Sequence, residues 1–445
     1  DTTSVDATLG QGAATLAAVE VTGTAVTPEI FSSTAMGAGT SVSSDQLTGL
    51  ASIQRNLQDY ARLDPRLSQT DKERGEISAG GQNSRFNSIT IDGVTTNDTF
   101  GLEANNLPTL KQPISIDAIE SVQVNIANYD VTQKGYTGAN INAVTKSGTN
   151  EFHGTVYGSY RDKDMVRSRL EGDKSDFNGF KDEKTYGMTF GGPIVKDKLF
   201  FFTNYEKYER SGGGVSLSDS PYNKDPSKGG ISDADISAVQ KRMAELGHPV
   251  GGVSDLNNKT EIEEYAVKLD WNINENHRAA LRYNKMKQDV VRFPQVSSSA
   301  LSLSDFWYTQ PTQYETWMGE LFSDWSENFS TEFKVSHKDY SSNRVAASHL
   351  PQMRVRFGNN SLYLGTEQNT HTNLVESKEL SAFGAGTWYI GDHTVKFGFD
   401  YTDNDLMNFY GRNLYGAYDF RDLASFLTGT ANGYQLRVPR PGGSL

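Results

Sequence analysis

The chain contains no cysteine. That excludes a disulfide scaffold, a thiolate metal site and a cysteine nucleophile, and it suits a chain exposed to an oxidising periplasm. Nor is there an excess of positive charge. The formal net charge is −13, and phosphate backbones are bound by basic faces, so no nucleic-acid partner is expected. No run approaches the roughly 18 apolar residues of a transmembrane helix; the densest apolar cluster is Leu199-Phe200-Phe201-Phe202. This leaves a membrane β-barrel open, because barrel strands alternate lipid-facing and lumen-facing residues and escape hydropathy. The chain opens at Asp1 without a methionine or signal peptide; a secretory leader is removed in any case, so its absence decides nothing.

Signs of bond chemistry are missing too. The seven histidines are dispersed, and none has the i, i+4 spacing around a glutamate that a zinc helix needs. There is no Gly-x-Ser-x-Gly elbow and no phosphate loop ending in Gly-Lys-Ser/Thr. The chain is therefore read as no enzyme, with no metal and no cofactor.

What the chain has is an unusual mixture. Apolar residues are only 36%, low for a large globular core, yet there are 21 Tyr, 22 Phe and 42 Gly in 445 residues. Three zones follow one another. Residues 1–25 are small and polar and read as a mobile tether. Residues 26–150 mix short strands and turns, such as Ile89-Thr90-Ile91-Asp92-Gly93-Val94, and read as a compact α+β domain. From about Glu151 onward, aromatic alternation takes over. Tyr265, Val267, Leu269, Trp271 and Ile273 share one face, against Ala266, Lys268, Asp270 and Asn272 on the other. Val395, Phe397, Phe399 and Tyr401 repeat the pattern against Thr394, Lys396, Gly398 and Asp400.

Weaker versions occur at 152–160, 186–190, 199–208, 279–283, 317–325, 333–340 and 380–388, giving about nine strands. Tight links at 192–198, 274–276, 326–328 and 391–392 alternate with long ones at 162–184, 209–262, 288–312 and 342–372. Short turns at one end and long loops at the other are the mark of an outer-membrane barrel. Inside a bilayer every unpaired backbone group costs several kcal/mol, so only helices or closed barrels cross it. About nine strands cannot close around a ~125-residue domain, and bacterial barrels usually have an even strand count. The sequence also stops at Pro441–Leu445, inside an expected external loop. The chain is thus expected to be a fragment of a longer protein.

Several stretches resemble TonB-dependent outer-membrane transporters. Leu16-Ala17-Ala18-Val19-Glu20-Val21-Thr22-Gly23-Thr24 resembles a TonB box with its following Thr-Gly. Residues 80–87, the Asp92-Gly93-Val94 strand, Ala118–Val124 and Gly138–Asn150 resemble plug signatures, in the right order. Asn128-Tyr129-Asp130-Val131 and Gly191–Phe202 are most similar to the Oar-like branch, whose members carry a small carboxypeptidase-regulatory-like β domain before the plug; Asp1–Gly10 fits its last strand. The resemblance implies an α+β plug domain (26–150), preceded by the tether and followed by part of a transmembrane antiparallel β-barrel (151–445), about 22 strands when complete. It implies energy-coupled import or export of bulky cargo, peptide or protein, across the bacterial outer membrane. Its partners would be TonB, with the ExbB/ExbD energy complex of the inner membrane, outer-membrane lipid and an extracellular substrate. Siderophore receptors place Arg-Gly ahead of the Asp-Gly strand; here Arg85 is followed by Phe86, which weighs against iron chelates.

The candidate site residues follow. In the TonB box, Ala18, Val19, Glu20, Val21 and Thr22 alternate as a strand added to a partner sheet must. Arg85 and Lys146 of the plug are candidates for ion pairs with wall carboxylates such as Glu264, Asp270 or Glu320. Asn97, Asp98 and Phe100 are read as a cargo-facing plug loop, beside the reading that they are ordinary loop. Ile231–Leu246 is an amphipathic helix capped near Ser232 with Asp235 three residues on, either a lid or a loop packing on its neighbours. Trp307, Tyr308 and Tyr314 are read as an interfacial girdle, with cargo contact as the other reading. Two rival functions remain: a surface-binding or adhesion protein on a transporter scaffold, and a secreted β-sandwich enzyme.

Overall fold

A computed structural model describes residues 37–49, 52, 55–61, 63–71, 75–101, 103–128, 130–166, 180–212, 220–223, 227, 230–253, 259–439 and 442. The TonB-box residues 18–22 and the segment Asp1–Gly10 lie outside the described residues.

The first layer is an α+β domain. It comprises β1 (Gly37–Ser43), α1 (Ser44–Gly49), α2 (Leu57–Ala61), β2 (Leu67–Asp71), β3 (Glu76–Ala79), β4 (Ser88–Ile91), β5 (Val94–Thr95), β6 (Ile119–Asn128) and β7 (Asn140–Thr145). Five strands form one sheet in the order β1-β6-β7-β4-β5. Val42, Leu57, Ile91, Val122, Val124 and Ile141 are buried in its core. β4 and β5 form a hairpin in which Ile91 faces Val94 across Asp92-Gly93. Asp92 and Gly93 have φ of +50° and +76°, the left-handed pair that a two-residue hairpin requires and that Asp-Gly supplies.

From His153 the chain builds a wall. β8 (His153–Asp162), β9 (Asp182–Val195), β10 (Leu199–Ser211), β11 (Lys259–Asn274) and β12 (His277–Arg292) come first, with α3 (Asp233–Glu245) in the link after β10. The next link carries β13 (Ala300–Ser302), then β14 (Tyr308–Ser326) and β15 (Phe329–Asn343) rejoin the wall. Another link holds β16 (Val345–Ala346), β17 (Gln352–Phe357) and β18 (Asn360–Leu364) before β19 (Thr372–Ile390) and β20 (His393–Gly411). Last come β21 (Ala417–Phe420), α4 (Leu423–Thr428) and β22 (Gly433–Gln435). The wall is a nine-strand antiparallel meander, β8 to β20 in chain order, with β16 pairing β14 to the side. All nine alternating segments are strands, and several run well past the alternation: 395–401 becomes His393–Gly411.

The wall's two faces differ as period two requires. Val395, Phe397, Phe399 and Tyr401 are 42–56% exposed, and Tyr265, Val267 and Trp271 are exposed beside them. The opposite face meets the α+β domain, where Phe202 joins that domain's core. The girdle expectation at 307–314 is corrected here. Tyr314 is buried on the inner face among Tyr208, Ile262, Met286, Tyr340 and Val375. Trp307 is buried in a loop, with its indole N–H donating to Ser302 Oγ at 3.0 Å. The parity of β14 explains Tyr314: Trp317 and Leu321 are exposed, so even positions turn inward.

A third unit sits at the long-loop end. β13-β18-β17-β21-β22 form a five-stranded sheet from three separate stretches of chain. α3 lays Ile236, Val239 and Met243 into the same core as Leu301, Val355 and Leu362, each contributing on the order of 1.5–3 kcal/mol. Its start is a reciprocal capping box, with Asp235 N–H donating to Ser232 Oγ and Ser232 N–H to Asp235 Oδ2. The helix packs on its neighbours, as the second of its two readings holds.

Candidate functional site

Wall strands β8, β10, β11, β12, β14, β15, β19 and β20 each send at least one polar side chain or buried apolar group into the α+β domain, and the contacts fall in three levels. At the short-turn end, Lys396 pairs with Asp130 and Lys134 with Asp400. Lys268, the cross-strand neighbour of Arg282, links this end to the next level, its Nζ donating to Ser147 Oγ at 3.0 Å. These contacts tie the stretches around β7 to β11 and β20.

The middle level centres on the Asp92-Gly93 turn. Asp92 Oδ1 accepts from Thr145 N–H at 2.8 Å, and Oδ2 accepts from the Thr145 hydroxyl at 2.9 Å and from Arg282 at 2.7 Å. Arg282 also donates to Ile91 O, and Lys334 donates to Asp92 O at 2.9 Å. The turn thus offers both a carboxylate and a carbonyl to two wall cations. Burial works against ionisation of Asp92, but Arg282, Lys268 and the Thr145 bonds outweigh it and hold the carboxyl below its usual 3.8. Gly93 is needed for its φ of +76°; a Cβ there would stand 3.0 Å from Lys334 Nζ, which the flexible end of that lysine can relieve by a small shift. A second cluster joins Ser115 and Tyr157 to Glu206, at 3.0 and 2.8 Å.

At the long-loop level the domain's loop 97–115 meets the wall ends. Leu110 N–H donates to Gln288 Oε1 at 2.9 Å, and Glu103 pairs with Arg292, whose Nε also donates to Gln310 at 2.9 Å. Beside this pair lies a cavity of about 300 Å³. Glu103, Asn105 and Leu110 line it from the domain; Arg292, Tyr308 and Gln310 face them from the wall. Arg344 closes one side, its guanidinium carbon 5.2 Å from the Tyr308 ring centre. Among the described residues no group of His, Asp and Glu has metal-binding geometry.

Two site expectations are corrected. Arg85 donates to Gly101 O at 2.8 Å, inside its own domain. Lys146 meets no carboxylate within 4.0 Å among the described residues; burial pushes its pKa down against the pull of Glu120. The wall carboxylates are spent elsewhere: Glu320 pairs with Lys334, Asp270 with Lys268, and Glu264 accepts from Asn204. The polarity is mostly reversed. The domain supplies the acids Asp92, Glu103 and Asp130, and the wall supplies the cations, with Lys134–Asp400 and Arg55–Glu206 running the other way.

Asn97, Asp98 and Phe100 are likewise used by the fold. Asn97 accepts from Ile89 N–H and donates to Asn87 O. Asp98 accepts from the Phe100 and Glu103 amides, and the Phe100 ring packs on the inner-face aromatic cluster. Glu103, Asn105 and Leu110 of the same loop reach the cavity instead. Arg282 and Lys334 had a readable signal: each has the inward parity of its strand, and a cation on an inner face calls for a partner.

A family model described as "Outer membrane beta barrel domain" matches residues 144–249 and 252–442. The TonB-dependent transporter Oar of Myxococcus xanthus is 28% identical over 226 residues, covering 47% of this chain and 19% of the relative. Among solved structures, the outer membrane transporter YddB from Escherichia coli is similar with a TM-score of 0.60 at 14% identity, over 89% of this chain and 51% of that one. A ferric enterobactin receptor (PfeA) mutant from Pseudomonas aeruginosa gives 0.56 at 13%, over 84% and 49%. The siderophore receptor PirA from Acinetobacter baumannii gives 0.55 at 14%, over 84% and 48%. At these identities the structural likeness speaks for the fold. The chain spans about half the length of these structures and 19% of the curated relative.

Proposed function

The chain belongs to the outer-membrane β-barrel domain family, and from that premise we propose that it forms the plug and part of the barrel of a TonB-dependent transporter. Its place is the outer membrane, and its curated relative is a transporter rather than an enzyme. In this reading residues 26–150 are the plug and the nine-strand meander is part of a closed barrel of about 22 strands, a size that holds a plugged lumen. Ala18, Val19, Glu20, Val21 and Thr22 act as the TonB box, pairing by strand addition with TonB under drive from ExbB/ExbD. Cargo, bulky and of peptide or protein nature, enters between the folded loops and binds at the cavity beside Glu103. No bond is made or broken.

The observation that carries this reading is the fastening of the α+β domain across the wall's inner face by the Asp92–Arg282 pair. A domain held in this way obstructs the interior and can be released without unfolding the wall. Deleting residues 16–24 tests it: cells bearing the deletion are expected to bind labelled cargo at the surface and fail to take it up. Uptake at the undeleted rate would refute energy coupling through this segment. A surface-binding role on the same scaffold finds support in the loop module's own core, and it predicts that the deletion changes nothing.

A further inference from the structure

Resting on the transport reading, the charges around the cavity specify what part of the cargo it receives. Arg292 is bound on two sides. Gln310 anchors its Nε on the wall, and its other end reaches Glu103 on the domain's loop. One guanidinium therefore fastens the loop to the wall, and its carboxylate partner lines the cavity itself.

Arg344 is in a different position. It lines the same cavity, it lies over the Tyr308 ring, and among the described residues its guanidinium meets no carboxylate within 4.0 Å. Its guanidinium thus lines the cavity with an aromatic ring, and no carboxylate, as its described neighbour. Two cations and one acid line the space, and that acid is already spent on Arg292. A surplus positive charge in a half-enclosed polar site is satisfied by an incoming anion. A fork of N–H donors matches the two oxygens of a carboxylate best. The volume, about 300 Å³, is at the small end of ligand sites, so it receives a side chain or a chain terminus rather than a whole bulky cargo.

We infer that the cavity binds a carboxylate of a peptide cargo, seated by Arg344, and that this carboxylate competes with Glu103 for Arg292. Binding then does two things at once. It fills the site, and it detaches Glu103, leaving the loop held to the wall by the Leu110–Gln288 bond, the packing of Phe100 and the Asn284 bond to Pro113 O. Linkage makes the effect reciprocal: whatever the cargo takes from the Glu103–Arg292 contact, that contact takes from cargo affinity. Glu103 is thereby an internal competitor, which distinguishes this arrangement from a simple basic patch.

The test is titration calorimetry on the intact protein purified in detergent. The probe is N-acetyl-Glu-Glu-Glu, with N-acetyl-Gln-Gln-Gln amide and inorganic phosphate as comparators. The triglutamate is expected to bind at least tenfold more tightly than either. Arg344→Ala should weaken it about tenfold, the loss of one charge-assisted contact. Arg344→Lys, which keeps the charge but not the fork, should fall between. Glu103→Gln should tighten binding about fivefold by removing the competitor. Equal binding of the uncharged peptide, phosphate binding as tightly as the triglutamate, or a Glu103→Gln variant no tighter than the parent would each overturn the inference. Calorimetry needs no TonB, so its failure is distinct from that of the transport reading, which stands or falls on uptake by the 16–24 deletion.

Discussion

Replacing Asp92 by Asn removes a buried negative charge that the α+β domain shares with the wall. Its side chain is 9% exposed and that of Arg282 is 2% exposed, so solvent cannot replace what is lost. Breaking a buried pair while leaving its partner typically costs about 3–5 kcal/mol. Asn retains an oxygen for the Thr145 amide, and Lys334 still holds the Asp92 carbonyl, so the lower part of that range, ~3 kcal/mol, is expected. At about 1.4 kcal/mol per decade, the open population of the domain–wall contact rises roughly 100-fold. Hydrogen exchange reads this directly. Amides of β4 and β7, which pair in parallel from Ser88↔Asn140 to Ile91↔Ala143, should lose about two decades of protection, with wall strands unchanged. The double variant Asp92→Asn/Arg282→Leu removes the stranded charge and should recover much of the loss. Less than a threefold change in the single variant, or a double variant worse than the sum of the two singles, would refute the argument that this pair fastens the domain.

Further outcomes follow from other contacts. Phe399→Lys places a charge in the exposed apolar band of β20 and should cost ~2–4 kcal/mol near the membrane midplane; a detergent-unfolding titration unchanged from the parent would count against a lipid-facing surface. Ser232→Ala removes the α3 cap and should cost about 1 kcal/mol, lowering the unfolding temperature of the loop module and not that of the wall; a shift of the wall transition instead would mean that the module is not a separate unit. His371 lies in the link before β19, and burial, opposed by its Thr366 bond and by Glu367, holds its pKa below 6.5. Its Nδ1 accepts the Tyr415 amide at 3.0 Å. A depressed pKa means the unfolded state takes the proton first, so this contribution is whole above pH 6.5 and is lost as pH falls through the lowered value. Protection factors at 366–371 and 413–416, corrected for the intrinsic base-catalysed rate, should therefore fall on acidification, and His371→Asn should flatten the dependence; pH-independent protection in the parent would refute the assignment.

The wall was legible because a membrane strand writes its environment into alternate residues. Val395–Tyr401 announces itself by four large apolar side chains on one face. The rest of β20 does not: Asp403, Asn404 and Asp405 are polar on both faces, so no alternation marks a strand that hydrogen bonding nevertheless continues to Gly411. The loop module was hidden for a different reason. β13, β17 and β21 are three to six residues long and pair across links separated by whole wall strands. No local pattern encodes such a partner. At the site, the Asp-Gly turn was readable as a turn, but its carboxylate was not readable as a clamp, because that role depends on Arg282 standing opposite. Tyr314 was misread although its parity was available from Trp317, three residues on.

The order β1-β6-β7-β4-β5 also ranks the domain's parts by how soon a mechanical load reaches them. Among the described residues β1 is an edge strand paired to β6 alone, and it is the first described element of the domain. Tension arriving from that side bears first on the β1–β6 pairing, and once β1 is stripped it passes along the chain through α1, α2, β2 and β3 to β4, whose turn carries Asp92. The sheet is in effect a fuse in series: the strand nearest the pull is the one farthest from the clamp. A tug can strip β1 away while Arg282 still holds the turn, so partial yielding and full release are separate mechanical events at different loads.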